Sequence, residues 1–379
     1  MITIRPRTHA YKLIQLLSVA GEIPPGALSL LGSERVFDNL VHKLELSQNF
    51  RFDKDGQVYH TKLIQVSGRK DTRTIRLYKK AVDVLDELTP GLLKWYMAAF
   101  NNHIFSGDTQ HIQRNHRVAE VLTLCMAAGI EIRPYALPAL KKIGFGMIVP
   151  GAPSFYIARD LKKAGIGEDN KTTYTRLTGA LFYPGGCYAV YNTRGSVMKW
   201  SGVGEVKTAV NLQELARINA GLDETKPALL LGYDPGTAFK TMLESDKSRR
   251  AEFRFDRVYP KIHFIPLNQY GIRLLIILVT PDWNEKLLTA LFEPEQRSYN
   301  RASMEYDAMI DNRMILSHLD SDIARLYRFR ESLANRVSGS ETAGADVICY
   351  PWQTDFLKSY LGDLAGLREL EMDSVESVL

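Results

Sequence analysis

The residues of this 379-residue chain that bear on chemistry fall into a few groups. Glu205-Val206-Lys207 has the E-x-K spacing of metal-dependent nuclease centres, where a carboxylate holds Mg²⁺ and a lysine steadies the attacking water. Such a centre needs a second acid on a neighbouring strand, for which Asp234 and Asp256 are the candidates; without one, the pair is expected in an exposed loop. Gly232, Gly236 and Lys240 lack the GxxxxGK[ST] spacing of a P-loop, and Pro235 and Phe239 are unsuited to a phosphate nest. Neither GxSxG nor GxGxxG occurs in a strand-to-helix setting. The three cysteines, Cys125, Cys187 and Cys349, are too far apart for a CxxC knuckle or a disulfide framework. Of the eight histidines, His111 and His116 come close together but not at HxxxH or HExxH spacing. No catalytic set, metal or cofactor is therefore expected.

Basic residues form the other group. Arg69, Lys70, Arg73, Arg76, Lys79 and Lys80 crowd one short stretch, interrupted by Asp71. Over residues 1–117 basic side chains outnumber acidic ones by six, although the whole chain carries only +5; the far C-terminal stretch is acidic. A run of this kind is a phosphate grip if the fold presents it on one face.

The elements around that run give it a context. Leu13, Leu16, Leu17 and Ala20 recur at helical spacing before Gly21, and Pro24-Pro25 opens a second short helix to Leu31. Ser33 caps a third helix whose buried stripe is Val36, Phe37, Leu40, Val41 and Leu44. Strand-like segments Phe50–Phe52 and Val58–Val66 flank Asp53-Lys54-Asp55-Gly56, whose Asp-Gly pair signals a hairpin. This is the order of a winged helix-turn-helix. The third helix would enter the major groove with Ser33, Arg35, Asn39, His42 and Lys43, while Glu34 and Asp38 on the same face oppose phosphate. Lys54, Arg69, Lys70, Arg73 and Arg76 would hold the backbone. The domain is expected over residues 1–107, with a helix at Thr109 opening a second domain over 108–379.

The second half reads as mixed α/β. A helix at Phe155–Ala164 precedes strands Leu177–Tyr183 and Cys187–Asn192 around Pro184-Gly185-Gly186. Helices at Leu212–Ala220, Gly236–Ser245 and Asn284–Phe292 alternate with strands at Ala228–Leu231, Lys261–Pro266 and Arg273–Val279. A basic helix spans Ser321–Ala334, with Arg325, Arg328 and Arg330 beside aromatic residues, and a last helix spans Trp352–Leu361.

The N-terminal pattern, the following Asn115-His116-Arg117-Val118-Ala119-Glu120 helix and the order helix, hairpin, helix, strand resemble the replication-relaxation family of plasmids and integrative mobile elements. The resemblance implies a winged helix joined to a restriction-endonuclease-like domain with an acid on the first hairpin strand and E-x-K on the second. Here Arg176 to Leu181 contains no carboxylate, and Tyr188 to Asn192 contains neither acid nor lysine, so the domain is expected to be noncatalytic.

At 45% hydrophobic and 24% charged residues the chain reads as globular, and its longest apolar run, Leu274–Val279, is too short to span a membrane. The reading is therefore of a cytoplasmic protein that binds double-stranded DNA in replication, mobilisation or their control, with relaxosome or replication proteins as further partners. A nuclease using Glu205 and Lys207 and a protein-docking scaffold are the alternatives.

Overall fold

The computed structural model describes residues 1–52, 56–132, 152–164, 176–220, 227–243, 254–298, 305–335 and 344–379. The chain is mixed α/β and divides into two units, Met1–Leu137 with Phe155–Asp160, and Pro138–Ser154 with Leu161–Leu379.

In the first unit, strand β1 (Ile2–Ile4) precedes helix α1 (His9–Ala20). Thr8 starts α1 by accepting from the Tyr11 amide at 3.3 Å, and Gly21 ends it at a φ of +74°. Leu13, Leu16, Leu17 and Ala20 are buried, as their spacing requires. After β2 (Glu22–Ile23), Pro25–Leu31 forms a 3₁₀ helix rather than an α-helix. Helix α2 (Glu34–Glu45) follows, then β3 (Gln48–Phe52), β4 (Val58–Thr61), β5 (Ile64–Ser67) and β6 (Thr74–Leu77).

The strand expected over Val58–Val66 is broken at Lys62–Leu63, and its halves join different sheets. β4 pairs antiparallel with β3, which pairs parallel with β1. β5 forms a hairpin with β6, and β6 pairs antiparallel with β2, giving the order β2-β6-β5. The break arises because Leu63 and Ile64 are both buried, so the run abandons the alternation of a single half-buried strand. Residues 53–55, including Lys54, lie outside the described residues.

Short helices α3 (Leu85–Leu88) and α4 (Leu92–Ala99) lead to α5 (Thr109–Ala127). α5 packs on α1, β2 and the 3₁₀ helix, so it completes the first unit instead of opening the second at residue 108. One buried carboxylate ties these pieces together. Glu22 on β2, 1% exposed, accepts from Arg76 Nε on β6 at 2.6 Å and from Asn115 Nδ2 on α5 at 2.6 Å.

Strand β7 (Ser154–Ile157) and helix α6 (Ala158–Ala164) replace the single helix expected over 155–164. In the second unit, β8 (Gly179–Tyr183) and β9 (Gly186–Arg194) form an antiparallel hairpin in which Ala180 faces Ala189. Helix α7 (Gly202–Ala220) starts ten residues before the expected helix and absorbs Glu205 and Lys207. Strand β10 (Pro227–Gly232), α8 (Pro235–Leu243), α9 (Phe255–Val258) and β11 (Lys261–Pro266) follow; β9, β10 and β11 are parallel neighbours.

The apolar run ending at Val279 belongs to helix α10 (Gln269–Val279), not to a strand. Asn268 caps it, accepting from the Tyr270 amide at 2.9 Å and the Gly271 amide at 3.2 Å. Its exposed face carries Tyr270 and Ile276 beside Arg273, so apolar residues on both faces hide the helical period, which is why the pattern alone misleads. Helix α11 (Trp283–Leu291) precedes a second sheet of β12 (Ala308–Ile310), β13 (Arg313–Ser317), β14 (Gly344–Cys349) and β15 (Gly366–Glu369), in that order. Helices α12 (Ile323–Ala334) and α13 (Thr354–Leu361) connect its parallel strands, and α14 (Met372–Glu376) closes the chain.

Arg76→Ala strands the Glu22 carboxylate with Asn115 alone and is expected to lower the unfolding free energy by about 3 kcal/mol. Urea unfolding checks this; an unchanged midpoint contradicts a structural role for the pair.

Candidate nucleic-acid interface

Helix α2 turns its apolar side inward through Phe37 and Leu44, which are buried, and His9 packs edge-on against Phe37 at 4.9 Å. Leu40 and Val41 are half-buried and Val36 is exposed, so the buried stripe is narrower than expected. The opposite side is open: Ser33, Glu34, Arg35, Asp38, Asn39, His42 and Lys43 are all exposed. Ser33 occupies the N-cap position without a side-chain capping bond.

At its far end α2 is fastened to the β5/β6 hairpin, where Glu45 Oε1 accepts from the Val66 amide at 3.0 Å. That hairpin, rather than the β3/β4 pair, carries the basic run. Its tip is built tightly: Gly68 sits at a φ of +78° where a Cβ would collide with the Thr72 carbonyl, and the Thr72 amide donates to Arg69 O at 3.0 Å. Gln113 on α5 donates to the Asp71 carbonyl at 2.8 Å and anchors the tip from behind. Arg69, Lys70 and Arg73 are exposed there, and among the described residues none pairs with an acidic side chain. Arg35 and Lys43 are equally unpaired.

Arg76 does not belong with them. Its guanidinium is committed to Glu22 and lies over the Phe105 ring at 4.8 Å, so the phosphate contact expected of it is replaced by a structural one. The basic C-terminal helix is spent in the same way. Arg325 binds Asp307 at 2.6 Å, Arg328 binds Glu305 at 2.6 and 2.8 Å, and Arg330 donates to Tyr360 O at 2.9 Å.

The E-x-K pair does not lie on a strand. Glu205 is fully buried on α7, not in a loop or on a strand, and accepts from the Arg176 amide at 2.8 Å and the Tyr191 hydroxyl at 2.6 Å. Tyr191 is itself linked to the Tyr259 hydroxyl at 2.7 Å, and burial beside Glu205 drives both phenols well above their usual range. Lys207 is exposed on the same helix. Asp234 caps α8 through the Thr237 amide and hydroxyl at 2.7 and 2.8 Å, and Asp256 is paired with Arg254 at 2.6 Å. β8 and β9 carry no carboxylate. Among the described residues no three His, Cys, Asp or Glu side chains are grouped to hold a metal ion.

One polar cluster escaped the sequence reading. His263 Nδ1 on β11 donates to the Asp320 carbonyl at 2.9 Å and lies 3.7 Å from its carboxylate, which burial pushes upward in pKa. Asp322 beside it caps α12 and accepts from the Ile262 amide at 3.1 Å. These residues line a cavity of about 740 Å³. The dense polar stretch Ser317-His318-Leu319-Asp320-Ser321-Asp322 was its only local signal; the partner, His263, is remote in sequence.

No family model, curated protein or solved structure matches the chain.

Glu205→Ala is expected to cost about 2–4 kcal/mol of stability by removing the carboxylate that accepts from the Tyr191 hydroxyl and the Arg176 amide, whereas Lys207→Ala stays within about 0.5 kcal/mol. Urea titration of both variants checks this, and a stable Glu205→Ala protein contradicts the structural assignment.

Proposed function

We propose that the first unit is a winged helix and that the chain binds double-stranded DNA through it, without catalysis. The observation that carries this reading is the open polar face of α2 fastened beside a hairpin tip of unpaired cations. Supporting it are the element order α1, β2, 3₁₀ helix, α2, β3, β4, β5, β6 and the antiparallel strand order β2-β6-β5, which suit a recognition helix with a wing after it.

In this reading Arg69, Lys70 and Arg73 grip phosphates. Arg35, Asn39, His42 and Lys43 face base edges, where arginine suits guanine and asparagine suits adenine. Glu34 and Asp38 disfavour phosphate but can accept from the cytosine amino group, so the face is suited to reading sequence more than to gripping backbone. With the resemblance to the replication-relaxation family, the function is replication, mobilisation or control of a mobile element in the cytoplasm. The second unit, a degenerate relative of restriction-endonuclease-like folds, has hairpin strands without the carboxylates that metal-dependent cleavage needs.

Fluorescence anisotropy on tiled duplexes, run across a salt series with Mg²⁺ present, tests the proposal. Replacing Arg69, Lys70 and Arg73 together by Ala is expected to weaken binding to every duplex and to reduce the slope of log K against log salt by about 2 to 3. Asn39→Ala changes the ranking of duplexes and leaves the slope unaltered. Equal affinity in all variants, or Mg²⁺-dependent cleavage by the intact protein, overturns the reading.

A further inference from the structure

A second cavity in the second unit, about 290 Å³, lies where the parallel strands of both its sheets end. Tyr233 follows β10, Pro266 ends β11, His318 follows β13 and Trp352 comes shortly after β14. Crevices outside the carboxyl ends of parallel strands are where open α/β sheets take ligands.

The lining states what kind of ligand would fit. Five aromatic rings form its walls: Tyr233, Phe264, Tyr270, Trp352 and Phe356. Tyr270 is stacked on Trp352 at 5.7 Å and 17°, so two rings of the wall are near-parallel planes, and Tyr350, outside the lining, stacks with Trp352 at 6.2 Å and 15°. Among the described residues no Asp, Glu, Lys or Arg lines the cavity, and a charged ligand would lose its hydration there without compensation.

Polar groups on the lining still have capacity, among them Trp352 Nε1, which is buried without a hydrogen-bond partner among the described residues, and two more at Ser321 and His318. The Gln353 amide is used up: its oxygen accepts from the Tyr350 amide at 2.8 Å and its nitrogen donates to Ser321 Oγ at 2.6 Å and to the His318 carbonyl at 3.3 Å. The Ser321 hydroxyl receives that bond and keeps its own proton to give. Neither ring nitrogen of His318 has a hydrogen-bond partner among the described residues, although the residue is only 4% exposed. Burial lowers the His318 pKa to about 4, so at neutral pH the ring is uncharged and presents one donor and one acceptor. Tyr233 and Tyr270 are exposed at the rim, which leaves an opening for a substituent on the bound ring.

We propose that this cavity binds a neutral nucleobase as a free nucleoside, the base lying against the aromatic wall with its hydrogen-bonding edge at His318 and Ser321 and the sugar at the rim. A planar, uncharged ring whose edge both donates and accepts is the ligand class that uses the aromatic wall together with the donors and acceptor at His318 and Ser321. The site is independent of the DNA interface proposed for the first unit.

The test is saturation-transfer NMR and titration of the full chain with adenosine, guanosine, cytidine and uridine, with benzene and toluene as planar rings lacking a polar edge. Saturable binding of at least one nucleoside in preference to the plain rings is expected. Tyr270→Ala, at an exposed position where folding is safe, is expected to weaken it about tenfold or more, as loss of an aromatic stacking partner does. His318→Asn is expected to change the ranking of the four nucleosides. No saturable nucleoside binding at millimolar concentration, equal binding of toluene, or affinities and rankings unchanged in both variants overturns the proposal.

Discussion

A carboxylate withdrawn from water must be compensated where it stands, and Glu22 meets that demand with two partners from elements distant in sequence. Arg76 arrives on β6 and Asn115 on α5, so satisfying one charge fixes a strand, its hairpin and a long helix against β2. The hairpin tip with its cations, and through Glu45 the helix α2, inherit their positions from this junction. The arginine most deeply placed in the basic run is therefore unavailable to a ligand, while Arg69, Lys70 and Arg73 around it stay exposed.

The same exchange of chemistry for structure recurs in the second unit. Glu205 has the sequence signature of a nuclease acid, yet its oxygens are occupied by a phenol and a backbone amide inside the core. Arg325 and Arg328, which resemble a nucleic-acid grip on paper, are paired with Asp307 and Glu305. Groups that keep unspent capacity lie elsewhere, at His318 and Ser321 beside an uncharged aromatic cavity.

Local patterns made part of this legible. α1 and α2 follow from spacing and stop signals, and the β8/β9 hairpin follows from Pro184-Gly185-Gly186. Strand β11 has the expected bounds because its apolar run is short and flanked by breakers. α10 was hidden because its exposed face carries the apolar Ile276 and Tyr270, so little polarity marks its period. The split of β4 from β5 and the sheet β12-β13-β14-β15 depend on pairings between remote segments, which no short window contains. For the interface, the exposed residues of α2 were readable from amphipathicity, while the role of Arg76 was not, since Glu22 is 54 residues away.

Hydrogen–deuterium exchange of the whole chain with and without duplex DNA tests the central claim most directly. The account predicts slowed exchange confined to α2 and to the hairpin tip over residues 68–73, with β8, β9 and α7 unchanged. Protection centred on β8, β9 or α7, or no change in α2 and the tip when the duplex is bound, would contradict it.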